Sequence, residues 1–261
     1  MSNALKGAVV FAGVIIGGYV LFNSNNSSTT KRSDSVSSNK VNVADTYGNK
    51  GALNSWPKLG EQTNLADNLL AKNYYIVFDG SGSMGDYACE GAGAKIDIAK
   101  KAISAFIDEI QPSDNVGLLA FDRKGNKERV ALSVQNRPSL KQAVQSVEAS
   151  GGTPLRTSIT EAYAALTSRA KQQMGYGEYH LVIVTDGEAS SGERPDEIVS
   201  KIVKQSPVQI HTVGFCIDQT HSLNQRGIVN YRSANSAETL VKSLQTVLAE
   251  AESFDISEFD G

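Results

Sequence analysis

Between residues 74 and 248 two hydrophobic rhythms alternate. Short apolar runs of strand length occur at YYIVF (74–78), VGLLAF (116–121), RVALSV (129–134), HLVIVT (180–185), VQIHTVGF (208–215) and, more weakly, IVNYR (228–232). Several are apolar throughout, as strands are when both faces of a parallel sheet are covered. Between them apolar residues recur every three or four positions, which predicts amphipathic helices. Ile96, Ala99, Ile103, Phe106, Ile107 and Ile110 mark the first, and Leu155, Ile159, Ala162, Leu166 and Ala170 the second. Ile198, Val199, Ile202 and Val203 follow Pro195, a residue suited to a first helical turn. Leu240, Val241, Leu244, Val247 and Leu248 mark the last. RVALSV follows VGLLAF after the turn DRKGNKE, so that pair reads as an antiparallel hairpin at one edge. The remainder is βαβα. The pattern predicts an α/β domain: a doubly wound, mainly parallel six-stranded sheet with one antiparallel edge strand and helices on both faces.

The first third of the chain has a different texture. Residues 7–22, GAVVFAGVIIGGYVLF, carry no charge. As a helix they would extend roughly 24 Å, against a bilayer core of about 30 Å, so spanning requires Ala4 and Leu5 to join and Lys6 to snorkel. The expectation is a membrane anchor over 1–24, with a cleaved signal peptide and a buried helix as the alternatives. Lys6 before the segment and Lys31 and Arg32 after it nearly balance, and an N-in orientation with the domain outside the cytoplasm is the reading adopted. Residues 25–65 begin rich in Ser, Asn and Thr and read as a flexible linker. Trp56-Pro57 and NLADNLLA form a lead-in to a domain over 66–252. The tail 253–261 is acidic and carries Phe254, Ile256 and Phe259; it reads as a frayed end, with docking on a partner as the sharper alternative.

Composition narrows the function. A net charge of -3, with no basic stripe, gives no electrostatic argument for nucleic acid. Two cysteines, Cys89 and Cys216, are too few for a disulfide scaffold and are not spaced as a zinc site.

The candidate chemistry lies where the strands end. In α/β sheets ligands sit at the carboxyl ends of strands, and YYIVF runs directly into DGSGSMGD. Glycines let the chain turn so that Asp79, Ser81 and Ser83 face one side. A carboxylate with two hydroxyls is a set of hard oxygens, suited to Mg²⁺, Mn²⁺ or Ca²⁺ rather than to zinc or copper. Three ligands do not complete a shell. Two further glycine-flanked turns on the same edge add Thr153, in SGGTPLRT, and Asp186, in VIVTDGE. The plainer reading of Asp79, Ser81 and Ser83 is a self-bonded turn, and Thr153 and Asp186 weigh against it.

DGSGS, GGTPL and VTDGE, in this order on a βα scaffold, resemble the von Willebrand factor type A domain and its metal-ion-dependent adhesion site, over about residues 70–250. The resemblance implies a Rossmann-like fold and Ser81 and Ser83 as direct ligands. Thr153, Asp79 and Asp186 would bind directly or through water. It implies Mg²⁺, or Mn²⁺ or Ca²⁺, and a protein partner that offers an Asp or Glu to the ion. The stretch GDYACEGAGAKID after Met84 is longer than the family pattern suggests, which bears on the rim. Asp122, Glu188 and His221 lie on the same edge as rim candidates, the two acids as tuners of charge. In the usual strand order of this fold, the loops of Cys89 and Cys216 are separated by one strand. A disulfide there would pin the long loop and requires an oxidising compartment; the alternative is two buried thiols.

Catalysis finds less support. Ser81 lacks the G-x-S-x-G elbow, no phosphate-cradling G-x-x-x-x-G-K-[ST] occurs, and a serine stands where an aspartyl-phosphate mechanism wants a second carboxylate. His180 and His211 fall inside strands and read as structural. The expectation is a membrane-tethered, metal-dependent protein-binding module of the periplasm or surface of a prokaryote. A structural or chaperone-like subunit of an envelope complex is the runner-up, followed by a metal-dependent hydrolase.

Overall fold

The structure is a computed structural model that describes residues 56–60, 64–217 and 221–252. The expected anchor, the Ser/Asn-rich part of the linker and the acidic tail lie outside the described residues. Six strands form one sheet: β1 (Lys72–Asp79), β2 (Asn115–Asp122), β3 (Gly125–Ser133), β4 (Glu178–Thr185), β5 (Gln209–Phe215) and β6 (Asn230–Ala234). Their order is β3-β2-β1-β4-β5-β6. Only the β2–β3 pair is antiparallel. Five helices cross between or follow the strands: α1 (Lys95–Glu109), α2 (Arg137–Gln145), α3 (Leu155–Gln172), α4 (Pro195–Gln205) and α5 (Ala237–Glu252).

The uniformly apolar strands are buried on both faces because successive side chains enter two separate cores. Tyr74, Ile76 and Phe78 of β1 pack with α1, α2 and α5, through residues such as Ile103, Leu140 and Leu244. Tyr75 and Val77 point the other way, against Leu155, Ile159 and Leu166 of α3 and Val199 and Ile202 of α4. Trp56 of the lead-in packs edge-on to Tyr179, ring centroids 4.9 Å apart.

Two elements differ from the sequence reading. β3 begins at Gly125, not 129, so the seven-residue turn shrinks to Arg123 and Lys124 between paired Asp122 and Gly125. Asp122 Oδ1 accepts the Lys124 N–H at 2.7 Å, and Gly125 takes a φ of 86°. An outer strand with charged residues facing solvent has no apolar run to betray its start. The helix α2 carries only two buried side chains, Leu140 and Val144, one turn apart, and Pro138 in its first turn marks its start.

His180 and His211 lie near the opposite end of the sheet from the strand carboxyl termini. Both are fully buried, and His180 Nδ1 meets His211 Nε2 at 3.3 Å. Burial pushes the His211 imidazolium down to about 3, with the neighbouring His180 and Arg232 charges adding to it.

Candidate metal centre

The sheet reverses its winding direction between β1 and β4, which pair in parallel with Phe78 opposite Val184. The next residue of each strand therefore stands at the crevice that such a switch point opens. Asp79 ends β1 and Thr185 ends β4, and the Thr185 hydroxyl donates to Asp79 Oδ2 at 2.5 Å. The other oxygen, Asp79 Oδ1, accepts the Ser81 N–H at 2.7 Å, so the carboxylate is held from both sides.

The chain then makes a 3-10 turn, Gly82–Gly85, anchored by fully buried Met84. That anchor aims the two serines at β4. Ser81 Oγ and Ser83 Oγ are 3.2 Å apart, and Ser83 Oγ donates to Asp186 Oδ1 at 2.8 Å. The loop carrying Thr153 is stitched to the same turn: Gly82 N–H donates to the Gly151 carbonyl at 3.0 Å and Ser150 N–H to the Gly80 carbonyl at 2.8 Å. Thr153 is buried, and its N–H donates to Ser190 Oγ at 2.8 Å. Asp79, Ser81 and Asp186 are buried as well, while Ser83 is half-buried at the opening.

Burial pushes the Asp79 carboxyl up to about 6; hydrogen bonds from Ser81 and Thr185 offset part of this, and the charge of Asp186 adds to it. A carboxylate in this position favours a cation beside it. Two carboxylates and the serine hydroxyls of this edge are oxygens of the kind a hard divalent ion takes. Among the described residues no group of three or more His, Cys, Asp or Glu side chains gathers at one point. An ion held here would draw on hydroxyls.

One residue of the site is absent from the sequence reading. Lys95, the first residue of α1, places Nζ 2.8 Å from Asp186 Oδ2, with its side chain 13% exposed and that of Asp186 0%. A cation at a helix N-terminus opposes the macrodipole by about 0.3–1 kcal/mol. A buried carboxylate without a partner costs several kcal/mol, so the pairing prevails. The local signal was that mismatch, a lysine opening a helix.

The rim candidates lie on this edge and are each engaged. Asp122 pairs with Arg129 and accepts the N–H of Lys124 and, at 3.2 Å, of Glu148. Glu188 accepts Ser222 N–H at 3.0 Å and Ser222 Oγ–H at 2.7 Å. His221 is buried; its Nε2–H donates to the Gly187 carbonyl at 2.8 Å while Nδ1 accepts Leu223 N–H, which fixes the tautomer. The bonds of Glu188 and His221 tie the loop after Asp186 to the 221–223 segment, and those of Asp122 tie the β2–β3 turn to the segment after α2. Cys89 and Cys216 form a disulfide, Cα–Cα 5.5 Å, which fastens the 86–94 loop to the end of β5. Tyr87 stands 81% exposed on that loop. On the other side, a cleft of about 350 Å³ lies beside Gly151, Gly152, Asn126 and Ser190.

Fold and sequence together define the class: residues 73–253 match the von Willebrand factor type A domain, and the chain belongs to that family. Among relatives it is 26% identical to the protein sll0103 of Synechocystis over 57% of this chain and 33% of that one. It is 24% identical to human inter-alpha-trypsin inhibitor heavy chain H4, over 60% of this chain and 17% of that one. With Bacillus subtilis YwmD it shares 27% identity over 64% of this chain and 80% of that one. The chain thus matches a third or less of the first two relatives' length. A solved aerotolerance-related membrane protein from Bacteroides fragilis shares the fold at a TM-score of 0.53 and 17% identity, over 69% of this chain and 100% of that one. The PilB minor pilin of Streptococcus sanguinis does so at 0.55 and 16%, over 73% and 63%.

Proposed function

We propose that the chain is a membrane-tethered module that binds a protein partner through a divalent ion, Mg²⁺ first and Mn²⁺ or Ca²⁺ as alternatives, held by Asp79, Ser81, Ser83, Thr153 and Asp186. The observation that carries this reading is the meeting of two carboxylates and two serine hydroxyls at the switch point, with the loop of Thr153 bonded to the same turn through its backbone. Asp79 and Asp186 are buried there, and Ser83 is half-buried. A bound ion supplies positive charge and an open coordination position for an anionic oxygen. In this reading Ser81 and Ser83 would hold the ion directly, Asp79 and Asp186 would balance its charge, and Thr153 would add a further oxygen. The partner then presents an Asp or Glu at the opening, and exposed Tyr87 gives it an aromatic contact at the rim.

The same arrangement argues for binding over catalysis. Ser81 and Ser83 bond to one another, Ser83 donates to Asp186, and His221 donates to the Gly187 carbonyl instead of activating a hydroxyl. The disulfide supports an oxidising, extracytoplasmic setting. Among the described residues no helix is long and apolar enough to cross a membrane, and the tether is assigned to residues 1–24.

The test is capture of a glutamate-bearing peptide by the purified chain. Binding should require Mg²⁺ or Mn²⁺, vanish in EDTA and vanish when glutamine replaces the glutamate. Equal capture of the glutamine peptide would contradict a carboxylate–metal bridge.

A further inference from the structure

Lys95 stands where a binding site for a cation has least need of another positive charge. Its Nζ is 2.8 Å from Asp186 Oδ2, and Asp186 Oδ1 is taken by Ser83, one of the expected direct ligands. The contact is not a surface ion pair: the Asp186 side chain is 0% exposed and that of Lys95 13%. It is also placed against the local preference of the helix that carries it, whose N-terminus repels a cation. The Lys95 ammonium thus pairs with a carboxylate of another loop, Asp186.

The charges decide what this does. Asp79 and Asp186 sum to minus two, and Lys95 reduces this to minus one. A divalent ion then leaves the loaded site at plus one. Without Lys95 the loaded site would be neutral. The lysine opposes the incoming ion, and once the ion is bound it leaves a surplus positive charge beside the opening at half-buried Ser83.

We propose that Lys95 is a specificity-determining residue of the site: it lowers affinity for the divalent ion and in return makes the loaded site a receptor for an anionic oxygen, a carboxylate of the partner above all. This inference rests on the metal-binding reading and adds to it a residue that touches no metal. Both effects are electrostatic, act over a few ångströms and share one sign of charge. A side chain that keeps the charge should preserve them, and one that keeps only the shape should not.

The experiment compares wild type, Lys95→Met and Lys95→Arg as full chains. Calorimetry measures Mg²⁺ affinity, and a glutamate-bearing peptide is then titrated at saturating Mg²⁺. Lys95→Met should bind Mg²⁺ more tightly, by about tenfold, since a charge a few ångströms from a divalent ion is worth that much even at a high dielectric. It should also bind the peptide several-fold more weakly, with Lys95→Arg near wild type in both. Melting in EDTA gives a readout without metal. Lys95→Met should melt below wild type, because buried Asp186 loses its counter-charge, and saturating Mg²⁺ should abolish the gap. Mg²⁺ affinity in Lys95→Met equal to or weaker than wild type, or an Arg variant that follows Met, overturns the inference while leaving the metal site standing. Binding by Lys95→Met where wild type binds nothing supports it. Absence of Mg²⁺ binding in all three chains overturns both the inference and the metal reading.

Discussion

Gly80 shows at one position why the loop of Asp79 needs glycine. A Cβ there would lie 2.7 Å from Val147 Cγ1 and 2.8 Å from the Phe121 carbonyl oxygen. The same closeness lets Gly80 N–H donate to that carbonyl at 2.8 Å. A glycine-rich turn is visible in a sequence; that this one must pass between β2 and the loop after α2 is not. The partner of Lys95 was illegible for a related reason. Asp186 is 91 positions away, and no local period links them. The buried His211 gives a prediction at the same scale. Its folded-state value of about 3 lies below the ordinary 6.5 of histidine, so the unfolded chain binds the extra proton between those values. Stability is full above about 6.5 and falls as pH drops toward 3, by up to about 1.4 kcal/mol per unit. Asp79 acts in the opposite sense below about 6 in the absence of a divalent ion, so the comparison needs a control. Urea midpoints should fall more steeply from pH 7 to 5 in wild type than in His211→Gln; parallel curves would refute the assignment.

Among the elements, those with a strong apolar period were legible and those without were not. β1, β4 and β5 are buried almost throughout, and the sequence pattern placed them to within a few residues. The helices α1, α3, α4 and α5 likewise follow their apolar faces. α2 and the start of β3 escaped because exposed, polar elements owe their form to turn chemistry and neighbours. The 86–94 loop is an element without a period. It is closed by a Tyr87–Ala94 bridge and by the Cys89–Cys216 bond. Cys216 adopts a left-handed φ of 57°, and its N–H donates to the Ala234 carbonyl at 2.8 Å. The bond spans 127 residues, so removing it should lower stability by about 2–4 kcal/mol. The oxygen donors sit on other loops, so Mg²⁺ affinity should change little. Denaturant melts and Mg²⁺ titrations of the Cys89→Ser, Cys216→Ser double variant check both. Loss of metal binding in a variant that still folds would make the loop part of the site.

For the molecule as a whole, three sequence motifs, with Thr153 70 residues after Ser83 and Asp186 33 after Thr153, converge only because the topology puts β1 beside β4 and brings the loop after α2 across their ends. The five oxygen-bearing residues proposed as ligands are named from residue types and order alone. Their mutual hydrogen bonds and the counter-charge from α1 could not be read that way, since both depend on packing between distant segments. The central claim is that these residues hold a divalent ion. Calorimetric titration of Mg²⁺ and Mn²⁺ into the wild-type chain, beside Asp79→Ala, tests it most directly. The account predicts binding with a dissociation constant of about micromolar to millimolar, lost in a variant that remains folded. A folded wild type that takes up neither ion would contradict it.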